Sequence, residues 1–409
     1  MTLDAARISA LVDARFAEEV ALVAELVKCP SDNPPGDCAR HAEVTAAALE
    51  RLGFVVERHP VPEALVRANG MISATNIVAR RAFGEGGPVI ALNAHGDVVP
   101  PGEGWTADPY GAEIRDGWMY GRGVAVSKCD FATYAFAILA LEQAGVPLNG
   151  TLEIHGTWDE EAGGEIGPKW LLDEGVVKPT HAIAAGFSYA VVDAHNGCLH
   201  LEITVEGKSA HAAIPFTGVD ALEAATGVLA ALYAFRKSLA ATVSATPGIG
   251  SPQLTVGLIS GGINTNVVPD KVTLRLDRRM IPEESPEAVE AELRGVIEGA
   301  MRAYPAARVR VERILLARPL TPLEGSEKLS AALTRRASEV FGEAIGVKGV
   351  PLYTDARHYS DAGVPIVLYG AGPRTITEAN AHRADERLPL EDLRKATVAV
   401  ALALGDLLG

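Results

Sequence analysis

Two short apolar runs, each followed at once by a cluster of histidine and acidic residues, constrain this chain more than any other feature. Residues 89–94 (VIALNA) read as a buried strand and run into His95-Gly96-Asp97, and residues 151–157 (TLEIHGT) run into Trp158 and then Asp159-Glu160-Glu161. Between them, residues 131–143 carry a helical pattern. Strand, helix, strand is the unit of a layered α/β domain. In open α/β sheets, ligands bind at the carboxyl ends of the strands, so both polar clusters stand where chemistry is expected.

From about Gly197 the texture changes. An alternating strand (199–205), a long Ala/Leu helix (219–239), a strand (253–259), an alternating strand (271–277), a helix from Pro286 and a strand near 309–311 follow in turn. That βαββαβ order predicts a small α+β domain with helices on one face of an antiparallel sheet. After Arg313 the α/β pattern resumes with a helix at 328–341, a strand at 366–368 and a last helix from Leu390. The expected organisation is therefore a catalytic α/β domain, a mixed sheet flanked by helices, formed by residues 1–196 and 314–409. Residues 197–313 interrupt it as an insertion.

Composition narrows the function. A chain of 409 residues exceeds one ordinary core, and 48% hydrophobic with 22% charged residues is a globular balance. The net charge of −15 (37 Lys+Arg against 52 Asp+Glu) argues against nucleic acid, whose binding draws on cations that displace counterions. No run of about 18 apolar residues appears, and the N-terminal stretch from Met1 mixes charged and apolar residues as an amphipathic helix does, so no membrane partner is expected. Four cysteines without CxxC spacing (Cys29, Cys38, Cys129, Cys198) suit reduced thiols in a cytoplasm.

The acidic cluster places three adjacent carboxylates at a strand end, tolerable when solvated or when a cation neutralises them. His95 lies two residues before Asp97, a spacing that lets the acid hold one ring nitrogen while the other binds metal. A third cluster, Ala381-His382-Arg383-Ala384-Asp385-Glu386, follows the turn at 370–373. Read singly, each is also compatible with a solvated loop or a surface histidine.

Over nearly its whole length the chain resembles the aminoacylase / carboxypeptidase G / succinyl-diaminopimelate desuccinylase family of metallo-aminohydrolases. The motifs are CPSDNPPGD (29–37), LNAHGDVVPPGEGW (92–105), YGRGVAVSK (120–128), TWDEEAGGEIG (157–167), GKSAHAAIP (207–215), GGINTNVVPD (261–270), DRRMIP (277–282), TDAR (354–357) and AHRADERLPLEDL (381–393). The resemblance implies a metal-dependent hydrolase whose inserted domain is a lid and homodimer interface. It implies that His95, Glu161 and His382 are metal ligands, that Asp97 orients His95, and that Glu160 is the general base. It also implies that His211 stabilises a developing oxyanion across the dimer, and that Asn266 and Arg279 bind a substrate carboxylate, with Arg357 a second candidate. For Asn266, Arg279 and Arg357 a surface salt-bridge role is the alternative, and for His211 a structural role at a strand end.

The match breaks at two metal ligands. The family's bridging aspartate, in a GRGAxD pattern, is Val126 here, and a second acidic ligand is replaced within Gly186-Phe187-Ser188 by Phe187. One divalent ion per subunit (zinc, manganese or cobalt) is therefore expected in place of two. Cys129, Asp130, Asp355 and His358 are the candidate replacements. Hydrolysis of an N-acyl or peptide-like amide in a small carboxylate-bearing metabolite is the leading reading. The alternatives are an aminohydrolase for a non-peptide C–N bond, such as an aromatic amine, and a metal-free binding or scaffold protein.

Overall fold

The structure is a computed structural model that describes residues 3–409, so Met1 and Thr2 of the expected N-terminal helix lie outside the described residues. The chain divides into two compact units, one of residues up to Asp193 with Pro322–Lys348 and Thr354–Gly409, the other of Ala194–Thr321 with Gly349–Tyr353.

The first unit is built on an eight-stranded sheet in the order Val55–Pro60, Thr75–Ala82, Thr151–Thr157, Val89–His95, His181–Ala184, Ile366–Leu368, Val191–His195, Val347–Val350. Its centre is parallel, since Val89–His95 runs alongside both Thr151–Thr157 and His181–Ala184, while the Val55–Pro60 edge is antiparallel. The sheet is thus mixed, and the class is α/β as the sequence predicts. Helix Lys128–Ala144 packs on the two central strands and is covered in turn by helices Ala5–Val27 and Leu390–Leu408. Being enclosed on all sides explains why its sequence is apolar nearly all round and carries no single hydrophobic stripe.

A small antiparallel sheet of Glu113–Arg115, Trp118–Tyr120 and Arg387–Pro389 ties the third polar cluster to the Gly121–Lys128 loop. The buried Lys128 ammonium extends that tie to the N-terminal segment by donating to the carbonyls of Leu26 (3.2 Å) and Cys29 (3.1 Å).

The second unit has the predicted βαββαβ order. Its antiparallel sheet runs Gln253–Gly261, Lys271–Met280, Gly197–Glu206, Arg308–Ala317, with helices Ala221–Leu239 and Pro286–Met301. Strict alternation buries Leu199, Leu201, Ile203 and Val205 with Leu274 and Leu276 against Val228, Leu232, Leu293 and Ile297 of the helices. Asp220 and Ser285 cap the two helices through their side chains, and Pro286 opens the second. Among the described residues no helix is long and apolar enough to cross a membrane, and all four cysteines are free thiols.

Candidate active site

The two strand-end clusters meet through one carboxylate. Asp97 is fully buried. One of its oxygens accepts the backbone N–H of Glu160 (3.2 Å), and the other accepts those of Glu161 (3.1 Å) and the Asn33 side-chain amide (3.0 Å). The same residue fixes His95, whose Nδ1 lies 3.0 Å from the Asp97 carbonyl oxygen and 3.4 Å from its carboxylate. The His95 backbone is pinned by Ser127, whose hydroxyl accepts the His95 N–H (2.9 Å) and donates to its carbonyl (3.1 Å). With Nδ1 so engaged, Nε2 is the nitrogen left for a ligand.

The acidic tripeptide divides its labour. Glu160-Glu161-Ala162 forms a short 3₁₀ turn, while Asp159 points away from it and accepts the Ile166 N–H at 2.7 Å. A side chain on Gly167 would place its Cβ 2.1 Å from an Asp159 oxygen, so the close approach requires glycine there. Behind the turn, the buried Arg357 donates to the Gly163 carbonyl and to that of Thr354 (3.2 Å), and His358 Nε2 lies 3.0 Å from the same Gly163 oxygen.

His382 comes from a loop held open against local preference. Asn380, His382 and Asp385 all take left-handed backbone conformations (φ 52, 61 and 55°). Such strain costs ~1–3 kcal/mol per residue and persists where the surroundings over-determine it. Here Asp385 accepts from the Thr106 and Ala107 N–H groups (2.8 and 3.2 Å) and the Thr106 hydroxyl (2.9 Å). Glu386, also buried, pairs with Arg122 at 2.6 Å and accepts the Ala125 N–H at 3.1 Å. The outcome is His382 Nε2 at 3.6 Å from a Glu161 oxygen.

The pocket's charge is unbalanced. Burial, then the neighbouring Glu160 charge, pushes the Glu161 carboxyl up to about 8, and burial with Asp97 pushes Asp159 up to about 7. Burial also raises Glu160, against the pull of His95. Burial opposes the charged form of His95 too, but its hydrogen bond to Asp97 and the charges of Glu160, Asp97 and Glu161 outweigh it and hold the imidazole well above its usual range. Asp355, buried beside Glu160 and Asp159, is raised well above the carboxylate range by burial first and by those charges second. Both its oxygens lack a hydrogen-bond partner, an arrangement that costs free energy unless a cation or proton supplies one. A divalent cation fits this donor set of imidazoles, crowded carboxylates and an orphaned acid.

The two substituted ligand positions carry apolar groups. Val126 is 39% exposed beside Ser127, and Phe187 forms a bridge with Gly372. Asp130 accepts the Ala371 N–H at 2.8 Å and sits where any Cβ on Gly370 would fall 1.9 Å from its oxygen; the buried Cys129 thiol lies beside it. Asp130 therefore serves the loop at 370–371, and Cys129 contacts Asp130.

In the second unit, His211 bridges to Val267, and the Ala212 N–H donates to the Asn266 carbonyl at 3.0 Å, which brings His211 and Asn266 onto adjoining exposed segments. Arg279 Nε donates to both Asp277 oxygens (2.9 and 3.2 Å), and its guanidinium lies over the Tyr353 ring.

The sequence model of Peptidase family M20/M25/M40 matches residues 91–406. The chain belongs to this family. An acetylornithine deacetylase of Myxococcus xanthus is 31% identical over 372 residues, covering 89% of this chain and 90% of its own. A succinyl-diaminopimelate desuccinylase of Rhodospirillum centenum is 29% identical, covering 93% and 95%. Among solved structures, human carnosine dipeptidase 1 superposes with a TM-score of 0.76 at 18% identity over 98% of both chains. Aminopeptidase PepT of Bacillus cereus gives 0.73 at 24% identity over 96% of this chain and 98% of that one. These two show a shared fold. Membership of M20 bears out the resemblance and makes the chain a metal-dependent hydrolase of amide-type C–N bonds.

Several residues that build this M20 pocket were given no role by the sequence. Asn33 and Ser127 act on Asp97 and His95 from distant segments, and although each lies inside a recognised motif, nothing there points to the residue it holds. The Arg122–Glu386 pair had one readable sign, a charged residue inside each of two recognised motifs.

Proposed function

We propose that this M20 enzyme hydrolyses an N-acyl or peptide-like amide in a small metabolite bearing a free carboxylate, with Glu160 as general base. The observation that carries the reading is Asp97, whose carboxylate accepts the Glu160 and Glu161 backbone N–H groups and whose carbonyl oxygen lies 3.0 Å from His95 Nδ1. Base and ligand residues so share one anchor.

In this reading His95, Glu161 and His382 hold one divalent cation, with Asp355 as the replacement acid for the positions taken by Val126 and Phe187. When bound, the cation acidifies water and polarises the scissile carbonyl. Glu160 accepts the proton of the attacking water and delivers it to the leaving nitrogen. Burial, which raises the Glu160 carboxyl, suits it to both halves of that cycle near neutral pH. Asn266 and Arg279 bind the substrate carboxylate, with Arg357 as a support of the Glu160 turn, and His211 donates to the oxyanion across a homodimer formed by the second unit. The names of the relatives, an acetylornithine deacetylase and a desuccinylase, support an N-acyl amine as substrate. Four free thiols support a cytoplasmic setting.

Apolar Val126 and Phe187 at ligand positions favour one second reading, an aromatic-amine aminohydrolase. A panel of N-acyl amino acids, dipeptides and aminobenzoates, assayed on protein purified without chelator, separates the two. Turnover of aminobenzoates alone would overturn the amide reading. Absence of any divalent metal that Glu161→Gln or His382→Ala removes would overturn both and leave a binding protein. Sedimentation velocity tests the dimer.

A further inference from the structure

We infer that Cys198, His200 and Asp277 form a second, separate site for one divalent transition-metal cation of zinc type, on the face of the second unit's sheet opposite its helices. Strand register creates the site. Cys198 and His200 are two apart on Gly197–Glu206 and so share a face, and antiparallel pairing sets His200 directly across from Asp277. The alternate residues, Leu199, Leu201 and Leu276, go into the core beneath the helices, so the three polar side chains are committed to the other face.

Their donor atoms converge on a point. Cys198 Sγ lies 3.2 Å from His200 Nε2 and 3.7 Å from Asp277 Oδ2, and His200 Nε2 lies 3.0 Å from that same Oδ2. Tetrahedral zinc, with bonds of ~2.3 Å to sulfur and ~2.0–2.1 Å to nitrogen and oxygen, spaces its ligand atoms about 3.3–3.6 Å apart. Shifts of a few tenths of an ångström admit the ion. Among the described residues this is the group of three His, Cys, Asp or Glu side chains whose donor atoms all fall within 4.8 Å of one another.

A nucleophile relay is excluded by the atoms involved. In such a relay the acid bonds one ring nitrogen and the nucleophile the other, whereas here sulfur and carboxylate meet at the same Nε2. The donor set also balances charge, since a thiolate and a carboxylate neutralise a dication while a neutral imidazole completes three ligands. Thiolate and imidazole select zinc or cobalt over magnesium and calcium. Arg279, the other cation at Asp277, makes its shorter bond to Oδ1 (2.9 Å) and its longer one to Oδ2 (3.2 Å). It thus holds the carboxylate from behind, as outer-shell partners of metal ligands do. Cys198 is buried while the side chains of His200 and Asp277 are 34% and 30% exposed, so the ion has a way in and a fourth position for water.

The test uses the full chain, stripped of metal, kept reduced without added thiol, and titrated with cobalt(II). Cobalt bound to Cys198 gives a near-ultraviolet thiolate-to-metal charge-transfer band that an imidazole and carboxylate pocket cannot produce. We expect the band to be complete within about two equivalents, one for this site and one for the hydrolytic pocket. Cys198→Ser should abolish it, and His200→Ala should weaken cobalt binding by about tenfold or more. Glu161→Gln, which acts on the other pocket, should leave it intact, so this inference and the hydrolase reading fail separately. His200 is part-exposed, so its variant keeps the test decisive if Cys198→Ser fails to fold by circular dichroism. No band in folded wild-type protein, a band that survives in folded Cys198→Ser, or one unchanged in His200→Ala overturns the site.

Discussion

The pocket at the strand ends and the cluster on the second unit's sheet are both sets of metal donors, yet they are held in different ways. In the first, His95 ends a strand, Glu160 and Glu161 sit on a 3₁₀ turn, and His382 rides a loop with three left-handed non-glycine residues. Its donors come from three separate segments, with His382 Nε2 3.6 Å from a Glu161 oxygen, and its carboxyls are pushed up towards about 8 and about 7. In the second, two neighbouring strands set every donor by register, and Arg279 holds the acid in place. Loops give a site reach and leave charge for an incoming cation or substrate to balance. Sheets give fixed spacing.

The comparison is broken most forcefully at Glu160. If the loop-borne pocket is the catalytic one, Glu160→Gln should lower kcat by about 10²–10⁴-fold while elemental analysis finds its metal content unchanged. Glu161→Gln should lose pocket metal as well as activity. Near-wild-type kcat in Glu160→Gln would remove the base from the mechanism.

A buried acid far from either cluster calibrates how much strain burial alone creates. Glu19 is fully buried with the Thr397 hydroxyl donating to one oxygen and no partner for the other, and burial pushes its carboxyl up to about 8. Its folded value exceeds its unfolded one, so the native state binds the proton more tightly. Its contribution is therefore fully present below the unfolded value of 4.5 and is lost as pH rises towards about 8. Glu19→Gln should match wild type near pH 4 and exceed it at pH 9 by on the order of a few kcal/mol, read from urea unfolding. Parallel pH profiles for the two proteins would show that burial is not what perturbs these carboxyls.

How much of this was legible beforehand follows the same division. The second unit's element order could be read because Leu199, Leu201 and Ile203 alternate cleanly along one face. Its last strand, expected only near 309–311, runs Arg308–Ala317, because a bulge between Arg313 and Leu315 breaks the alternation that the eye follows. The pocket was legible as clusters at strand ends and Glu160 as a base, yet the contacts that set Asp159 and Glu160 apart were not. They involve the Ile166 N–H and the Asp97 carboxylate, partners that only folding supplies. Arg357 drew notice as a substrate fork, and its burial against the Gly163 carbonyl is equally a matter of tertiary contact. The Cys198, His200 and Asp277 cluster left no local sign, since Asp277 is 77 residues from His200 and register is invisible in one strand.

A milder change sharpens the contrast in ligand number. Val126→Asp with Phe187→Glu, made in a Cys198→Ser background so that only the pocket counts, returns acids to the two apolar positions. A second cation should then bind the pocket at least about tenfold more tightly than in the parent, or about 1.4 kcal/mol. Isothermal titration with manganese or zinc measures it. Equal affinity would mean that Asp355 already fills the vacant ligand role.

The smallest effect belongs to the sheet. Arg275 and Glu202 form an ion pair at 2.8 Å on the same face as Cys198 and His200, with the arginine side chain 53% exposed. If register alone sets that face, removing the pair should matter little, because exposed ion pairs are worth about 0–1 kcal/mol. Arg275→Ala should lower stability by less than about 1 kcal/mol in urea unfolding and leave the cobalt–thiolate band unchanged. A band that weakened in a fully folded Arg275→Ala protein would mean that side-chain pairing, and not strand register, spaces the donors, and the contrast drawn with the loop-built pocket would fail.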